Sequence, residues 1–218
     1  MFYQYFSKFF LKINKNYLEN KVLKISIDNY HLIFKEIANE LIRNYVIECG
    51  NERYRMAEIE FYYYDSVLLN SEWNEKTYPR TDKEAGTLFF HYSGFDICFP
   101  SSYKKGIFGG ILIRSLWRES DKQYLTGPLL CANEILNSCS AFEKWPNIIH
   151  SEKWDCTILS CKRFGIEYTN DLHYEDSLCF YDENIITHNK NRFSNASWDY
   201  KSKKPKDIIR NYTRHFTK

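Results

Sequence analysis

Glycine and proline are scarce, 8 and 5 residues in a chain of 218, which excludes a collagen-like or loop-dominated protein. No uninterrupted apolar run is long enough to span a bilayer as a helix. No Cys-x-x-Cys occurs, and the six histidines form no His-x-x-x-His or His-x-His spacing beside a cysteine. No metal centre and no cofactor are therefore expected. Near the start, Lys8 and Lys12 break the apolar residues and no small-residue cleavage site follows, so a secretory leader is not expected. The seven cysteines, at 49, 98, 131, 139, 156, 161 and 179, are an odd number without a pairing pattern. Several sit in apolar runs, where a reduced thiol acts as a small hydrophobe. These features point to a reducing, cytoplasmic setting.

Aromatic residues are abundant instead: Tyr and Phe number 18 and 16, which favours strands and ring-rich surfaces. Charge is unevenly spread. Residues 1–24 carry +4 and residues 188–218 carry +7, which leaves −9 on the middle within a formal total of +2. Basic ends around an acidic middle suit contact with a polyanion, or two solvated tails.

The pattern divides the chain into an aromatic amphipathic segment over 1–27, a central domain over 28–188 and a basic tail over 189–218. Phe2, Phe6, Phe9, Ile13 and Tyr17 recur at helical spacing, which predicts a helix docked on the domain, on a partner or on a second copy of the chain, with a membrane surface the lesser alternative because its basic face is thin. Asp28 or Asn29 caps a second helix whose Leu32, Ile33, Ile37, Leu41 and Ile42 form an apolar stripe. Strands are expected at 45–49 and 54–62 around Gly50-Asn51, at 87–92 and 95–99 around Ser93-Gly94, and at 110–116. A helix begins after Thr126-Gly127-Pro128, and strand-like runs follow at 158–166, 178–181 and 184–187. Residues 65–85 and 101–109 read as loops.

Within Met56–Tyr62, alternation places Met56, Glu58, Glu60 and Tyr62 on one face and Ala57, Ile59 and Phe61 on the other. Arg114 ends the apolar run Ile111-Leu112-Ile113. A guanidinium there needs a carboxylate, because an unpaired buried charge is too costly. Glu58 or Glu60 across a sheet answers that need. The pair serves either as a structural ion pair or as part of a site.

The order of these pieces resembles the alkyladenine (3-methyladenine) DNA glycosylase family over about residues 30–185. The matching segments are Ala38-Asn39-Glu40-Leu41-Ile42, Glu58-Ile59-Glu60-Phe61-Tyr62, and Gly86-Thr87-Leu88-Phe89-Phe90-His91-Tyr92-Ser93-Gly94. Leu112-Ile113-Arg114, Thr126-Gly127-Pro128 and Arg163-Phe164-Gly165-Ile166 follow in the same order. The resemblance implies a single mixed α/β domain with a curved antiparallel sheet and packed helices.

It also implies roles. Glu60 matches the carboxylate that deprotonates the attacking water, and Arg114 the arginine that orients both. Tyr62 and His91 match rings that stack on an extruded base, with His91 in place of the family's usual Tyr. The family's base-contacting His falls near Ser71 and its pocket Asn at Pro100, while the intercalating wedge is deleted between Ser93 and Gly94 unless Tyr92 or Phe95 replaces it. Tyr92, Lys104 and Lys105 are expected nucleic-acid contacts.

Hydrolysis of a base–sugar bond passes through an oxocarbenium-like sugar, so it needs a general base and negative charge near the anomeric carbon. Glu60 serves both, kept ionised by Arg114. No lysine is placed for a Schiff base, so a monofunctional hydrolase is expected. Three readings remain: an N-glycosylase acting on nucleic acid or a nucleotide, an inactive relative that binds a nucleobase or strand, and an interaction protein that works through its N-terminal helix.

Overall fold

A computed structural model describes residues 18–19, 22–23, 30–65, 84–100, 106–139, 145–161 and 179–186. Two short strands, β1 (Leu18–Glu19) and β2 (Val22–Leu23), pair with each other. Helix α1 spans Tyr30–Asn44 and runs without a break into β3 (Tyr45–Cys49). The long strand β4 (Glu52–Asp65) follows, then β5 (Leu88–His91), β6 (Gly94–Cys98) and a second long strand, β7 (Ile107–Arg118). β8 (Gln123–Thr126) leads into helix α2 (Pro128–Ser138), and β9 (Asn147–His150), β10 (Ile158–Cys161) and β11 (Cys179–Asp182) complete the order.

Nine of these strands form one curled antiparallel sheet, six of them in the order β10-β11-β4-β7-β6-β5 and three beside that path, β3 on β4, β9 on β3 and β8 on β7. β4 and β7 are its spine, paired from Tyr54↔Arg118 to Asp65↔Ile107. Each is long enough to take two further neighbours along its outer edge. β3 pairs the start of β4 and β11 its middle, while β6 and β8 divide β7 in the same way. The protein is thus mixed α/β, with helices packed on an antiparallel sheet.

Helix α1 follows from its pattern. Ile33, Phe34, Ile37, Ala38, Leu41 and Ile42 recur at three- and four-residue spacing and are buried. The sequence put Leu32 in that stripe, but it is exposed and Phe34 fills the place, stacked on Phe61 at 4.5 Å. The β3–β4 turn needs its glycine: Gly50 has φ 59°, which a two-residue hairpin with glycine at its first central position requires.

The expected alternation fails at one point. Tyr54 and Met56 belong to the main core with Ile59, Phe61 and Tyr63, whereas Ala57 lies in a second cluster with Tyr181 and Ile185. The register is irregular between Met56 and Ile59, where Glu58 pairs Ser115 and Ile59 pairs Ile113. On the partner strand, Ile111, Ile113 and then Leu116 face the main core, so two residues intervene there as well. A β-bulge shared by the two strands therefore resets which parity points inward. Met56 leaves the face on which alternation placed it.

Other boundaries also move. β7 starts at Ile107, so residues 107–109 are strand where a loop was expected. Residues 184–186 form a helical turn instead of a strand, because Asp182 Oδ1 accepts from the Asn184 backbone N–H at 3.2 Å and from its amide at 3.1 Å. β8 and β9 have no strong alternation of their own and were not expected from sequence. They form by adding to β7 and β3. The N-terminal helix over 2–17, the basic tail and residues 162–166 lie outside the described residues.

A disulfide joins Cys49 at the end of β3 to Cys139 just past α2, with Cα atoms 5.6 Å apart. This corrects the expectation that the thiols are all reduced, since the fold brings together two cysteines 90 positions apart. It does not by itself fix a compartment. Cys98, Cys131, Cys156 and Cys179 are buried. Burial pushes the Cys131 thiol upward and the Cys156 thiol to about 11, so both are protonated and poorly nucleophilic at neutral pH. Among the described residues, no helix is long and apolar enough to cross a membrane.

Candidate functional site

Beyond the bulge, the even positions of β4 point away from the main core, together with the even positions of β6 and the residues beside Phe180 on β11. One row of neighbours across the sheet is Cys179, Glu60, Leu112 and Asp96. The charged groups collect along this row and the next. They come from four strands, and only the register brings them together.

Arg114 is the hub. Its Nη1 donates to Glu60 Oε2 at 2.9 Å, and its Nε lies 3.3 Å from Glu58 Oε1. Ser115 Oγ donates to Glu58 Oε2 at 2.8 Å, and Cys179 Sγ lies 3.5 Å from Glu58 Oε1. Glu58 and Glu60 are 5% and 3% exposed. Burial alone would lower the pKa of Arg114, but the carboxylates of Glu60 and then Glu58 outweigh it and push it up. The guanidinium is therefore permanently charged. It holds two carboxylates from the neighbouring strand in fixed orientations.

Asp96 makes a second centre. The Tyr62 hydroxyl donates to its Oδ2 at 2.9 Å, and His91 Nε2 lies 3.3 Å from the same oxygen. Tyr62 reaches across its neighbouring strand because Gly110 stands opposite it. A Cβ at Gly110 would lie 2.5 Å from the Tyr62 hydroxyl oxygen and 3.0 Å from the Ile97 carbonyl oxygen. Position 110 must stay bare for Tyr62 to lie where it does. The other ring nitrogen of His91, Nδ1, is 2.9 Å from Ser93 Oγ in the β5–β6 turn.

That turn carries Tyr92, which is 81% exposed at its tip. Phe95, the other residue expected at the wedge position, is fully buried and stacks on Phe90 at 5.1 Å. Phe95 therefore cannot project from the surface, whereas Tyr92 does. Lys104, Lys105 and Ser71 lie outside the described residues, and Pro100 is buried at the end of the strand region.

The structure thus brings Glu60 to Arg114, and Tyr62 to His91 through Asp96. Sequence reasoning missed Asp96, Ser115 and Cys179. Asp96 had a readable signal, a lone carboxylate inside Gly94-Phe95-Asp96-Ile97-Cys98. Ser115 and Cys179 had none, because their role depends on register. Among the described residues no group of three or more His, Cys, Asp and Glu side chains could hold a metal ion. The chemistry open to the cluster is that of oriented carboxylates: accepting a proton and stabilising positive charge. No protein-family model matches the chain, and no curated protein is significantly similar to it.

Proposed function

We propose that this domain is an N-glycosylase-like hydrolase that cleaves a base–sugar bond in nucleic acid, with Glu60 as the general base and Arg114 as the group that orients it. The reading rests on one observation. Two residues 54 positions apart meet at 2.9 Å on the sheet face that also carries Tyr62, Asp96 and His91. In this mechanism Glu60 takes a proton from water as the water adds to the anomeric carbon, and its negative charge stabilises the oxocarbenium-like sugar. Arg114 fixes the carboxylate by holding Glu58 beside it. Tyr62 and His91, tied through Asp96, form the wall against which a flat base is held. Tyr92 at the hairpin tip fills the gap left by an extruded nucleotide.

The fold belonging to this reading is glycosylase-like, the partner is nucleic acid, and the setting is intracellular. The departures at Ser71 and Pro100 point to a base selectivity different from that of purine-lesion enzymes. The test is release of free base from single- and double-stranded DNA and RNA carrying alkylated or deaminated bases, followed chromatographically with the full chain. Glu60→Gln should slow release by about 10²–10⁴-fold. No release from any substrate, or equal release by the variant, sinks the catalytic reading.

A second reading has its own support: Glu60 is 3% exposed with a guanidinium directly upon it. This suits a relative that binds a nucleobase or strand without cleaving it. Binding of the same oligonucleotides without release, unchanged in Glu60→Gln, would select it.

A further inference from the structure

A pocket of about 580 Å³ opens at the other end of the two spine strands, beyond the bulge from Glu60. Its size suits a small organic ligand. Arg53 and Arg55 enter it from β4, Trp117 from the end of β7, Glu119 and Lys122 from the β7–β8 turn, His150 from the end of β9, and Ser151, Glu152 and Trp154 from the segment after it. Arg55 and Trp117 are register partners, and both lie on the sheet face opposite the main core.

The pocket is built before any ligand arrives. Arg55, nearly buried, has Nε 2.9 Å from Glu119 Oε1 and donates from Nη1 to the Glu152 carbonyl at 3.0 Å. Backbone bonds from Ser151 N to Asn44 O and from Trp154 N to Arg43 O tie the opposite wall to the end of α1. Trp117 and Trp154 stack at 5.4 Å, with the Arg55 guanidinium 5.7 Å from the Trp154 ring and the Lys122 ammonium 4.8 Å from the Trp117 ring. Cations thus flank a pair of indoles, on walls held by strands and backbone bonds.

The charge points to an anion. Arg53, Arg55 and Lys122 outnumber Glu119 and Glu152. Arg55 already occupies Glu119. Arg53 donates to Ser151 Oγ at 2.7 Å and sits farther from Glu119, at 3.5 Å. Its side chain is 41% exposed, so its fork is within reach of solvent. Lys122 is exposed in its turn, and its contact with Trp117 is a cation–π interaction that an incoming ring and anion can replace together. A guanidinium fork favours phosphate oxygens, and an indole face favours a nucleobase.

We infer that this pocket binds a nucleotide, with its phosphate held by Arg53 and Lys122 and its base laid on Trp117. The inference goes beyond the proposed hydrolysis and does not depend on it. The site serves either a free nucleotide or one unit of a strand. Along β4, Arg55 and Glu60 are five residues apart, or about 17 Å at ~3.3 Å per residue, so one strand could reach both.

The experiment titrates adenosine monophosphate, a short single-stranded oligothymidylate and inorganic phosphate against the full chain, followed by tryptophan fluorescence. Saturable quenching by the mononucleotide or the oligonucleotide is expected, stronger than by phosphate and weakened by added salt. Lys122→Gln, an exposed substitution that leaves the core untouched, and Arg53→Gln should each weaken binding by about ten- to hundredfold, and Trp117→Phe should remove most of the quench. Binding of both probes assigns a free nucleotide as sufficient, and binding of the oligonucleotide alone assigns a strand. Binding should persist in Glu60→Gln, which separates this site from the one around Glu60. No quenching by either probe, or affinities unchanged by Lys122→Gln and Arg53→Gln, overturns the inference. Equal affinity for inorganic phosphate and the mononucleotide overturns the stacking of the base.

Discussion

Arg114 Nη1 and Glu60 Oε2 lie 2.9 Å apart across adjacent strands, and the same guanidinium reaches Glu58 at 3.3 Å. One cation holds two carboxylates that are both nearly buried. Removing a partner from such a group leaves uncompensated charge in a low-dielectric setting, a larger penalty than the net worth of the pair.

Arg114→Met should therefore destabilise the fold by about 3–5 kcal/mol at neutral pH. Chemical denaturation would measure it. Arg114→Met with Glu60→Gln should be milder than the sum of the two single changes. A loss below 1 kcal/mol would show that the pair is not a buried unit.

Gly110→Ala places a methyl against the Tyr62 phenol and the Ile97 carbonyl oxygen. Overpacking of this kind costs about 1–3 kcal/mol, and here it also breaks the hydrogen bond from Tyr62 to Asp96. Combining it with Tyr62→Leu should be strongly non-additive, since the second change removes the phenol that the new methyl strikes. A thermal-melt double-mutant cycle would read this directly. Additive losses would contradict the contact.

Tyr124 donates to Asp182, which is fully buried. Burial raises the Asp182 pKa above its ordinary 3.8, with Tyr124 pulling the other way. A raised carboxyl contributes stability that is present below the unfolded value and lost as pH rises through the folded one. Tyr124→Phe removes the group that favours the ionised form, so it should cost about 1.5–3 kcal/mol at pH 7. The cost should be smaller at acidic pH, where Asp182 is protonated. Denaturation at several pH values would check this, and a cost independent of pH would count against it.

Gly50→Ala meets two obstacles: φ is 59°, and the new Cβ would lie 2.7 Å from the Ser138 carbonyl oxygen. A destabilisation of more than about 1 kcal/mol is expected. Hydrogen exchange should increase first along the hairpin of β3 and β4 and at the end of α2, since that contact joins the two. Faster exchange elsewhere with these amides unchanged would argue against it.

Much of this fold can be read from local pattern. The stripe in α1, the Gly50 hairpin, the Pro128 helix start and most strand positions follow from spacing and turn chemistry, which act over a few residues. The need of Arg114 for a carboxylate also follows from sequence, because the cost of burying a charge does not depend on which fold buries it. What local pattern misses is register. Period-two alternation assumes an unbroken pleat, so it cannot foresee the bulge that puts Met56 in the core and leaves Glu58 free to meet Ser115 and Arg114. Strands β8 and β9 were invisible for a similar reason, since their pairing energy comes mainly from long neighbours.

By itself, then, the sequence determined an aromatic-rich chain of amphipathic helices and hairpin strands with a buried charge pair, because periodicity and desolvation are properties of the residues. Only the tertiary structure decided which carboxylates share the guanidinium, that Asp96 joins Tyr62 to His91, that Cys49 meets Cys139, and that two indoles and their cations line a pocket. Each of these depends on distances between strands far apart in the chain, and those distances are fixed only when the whole sheet closes its hydrogen bonds.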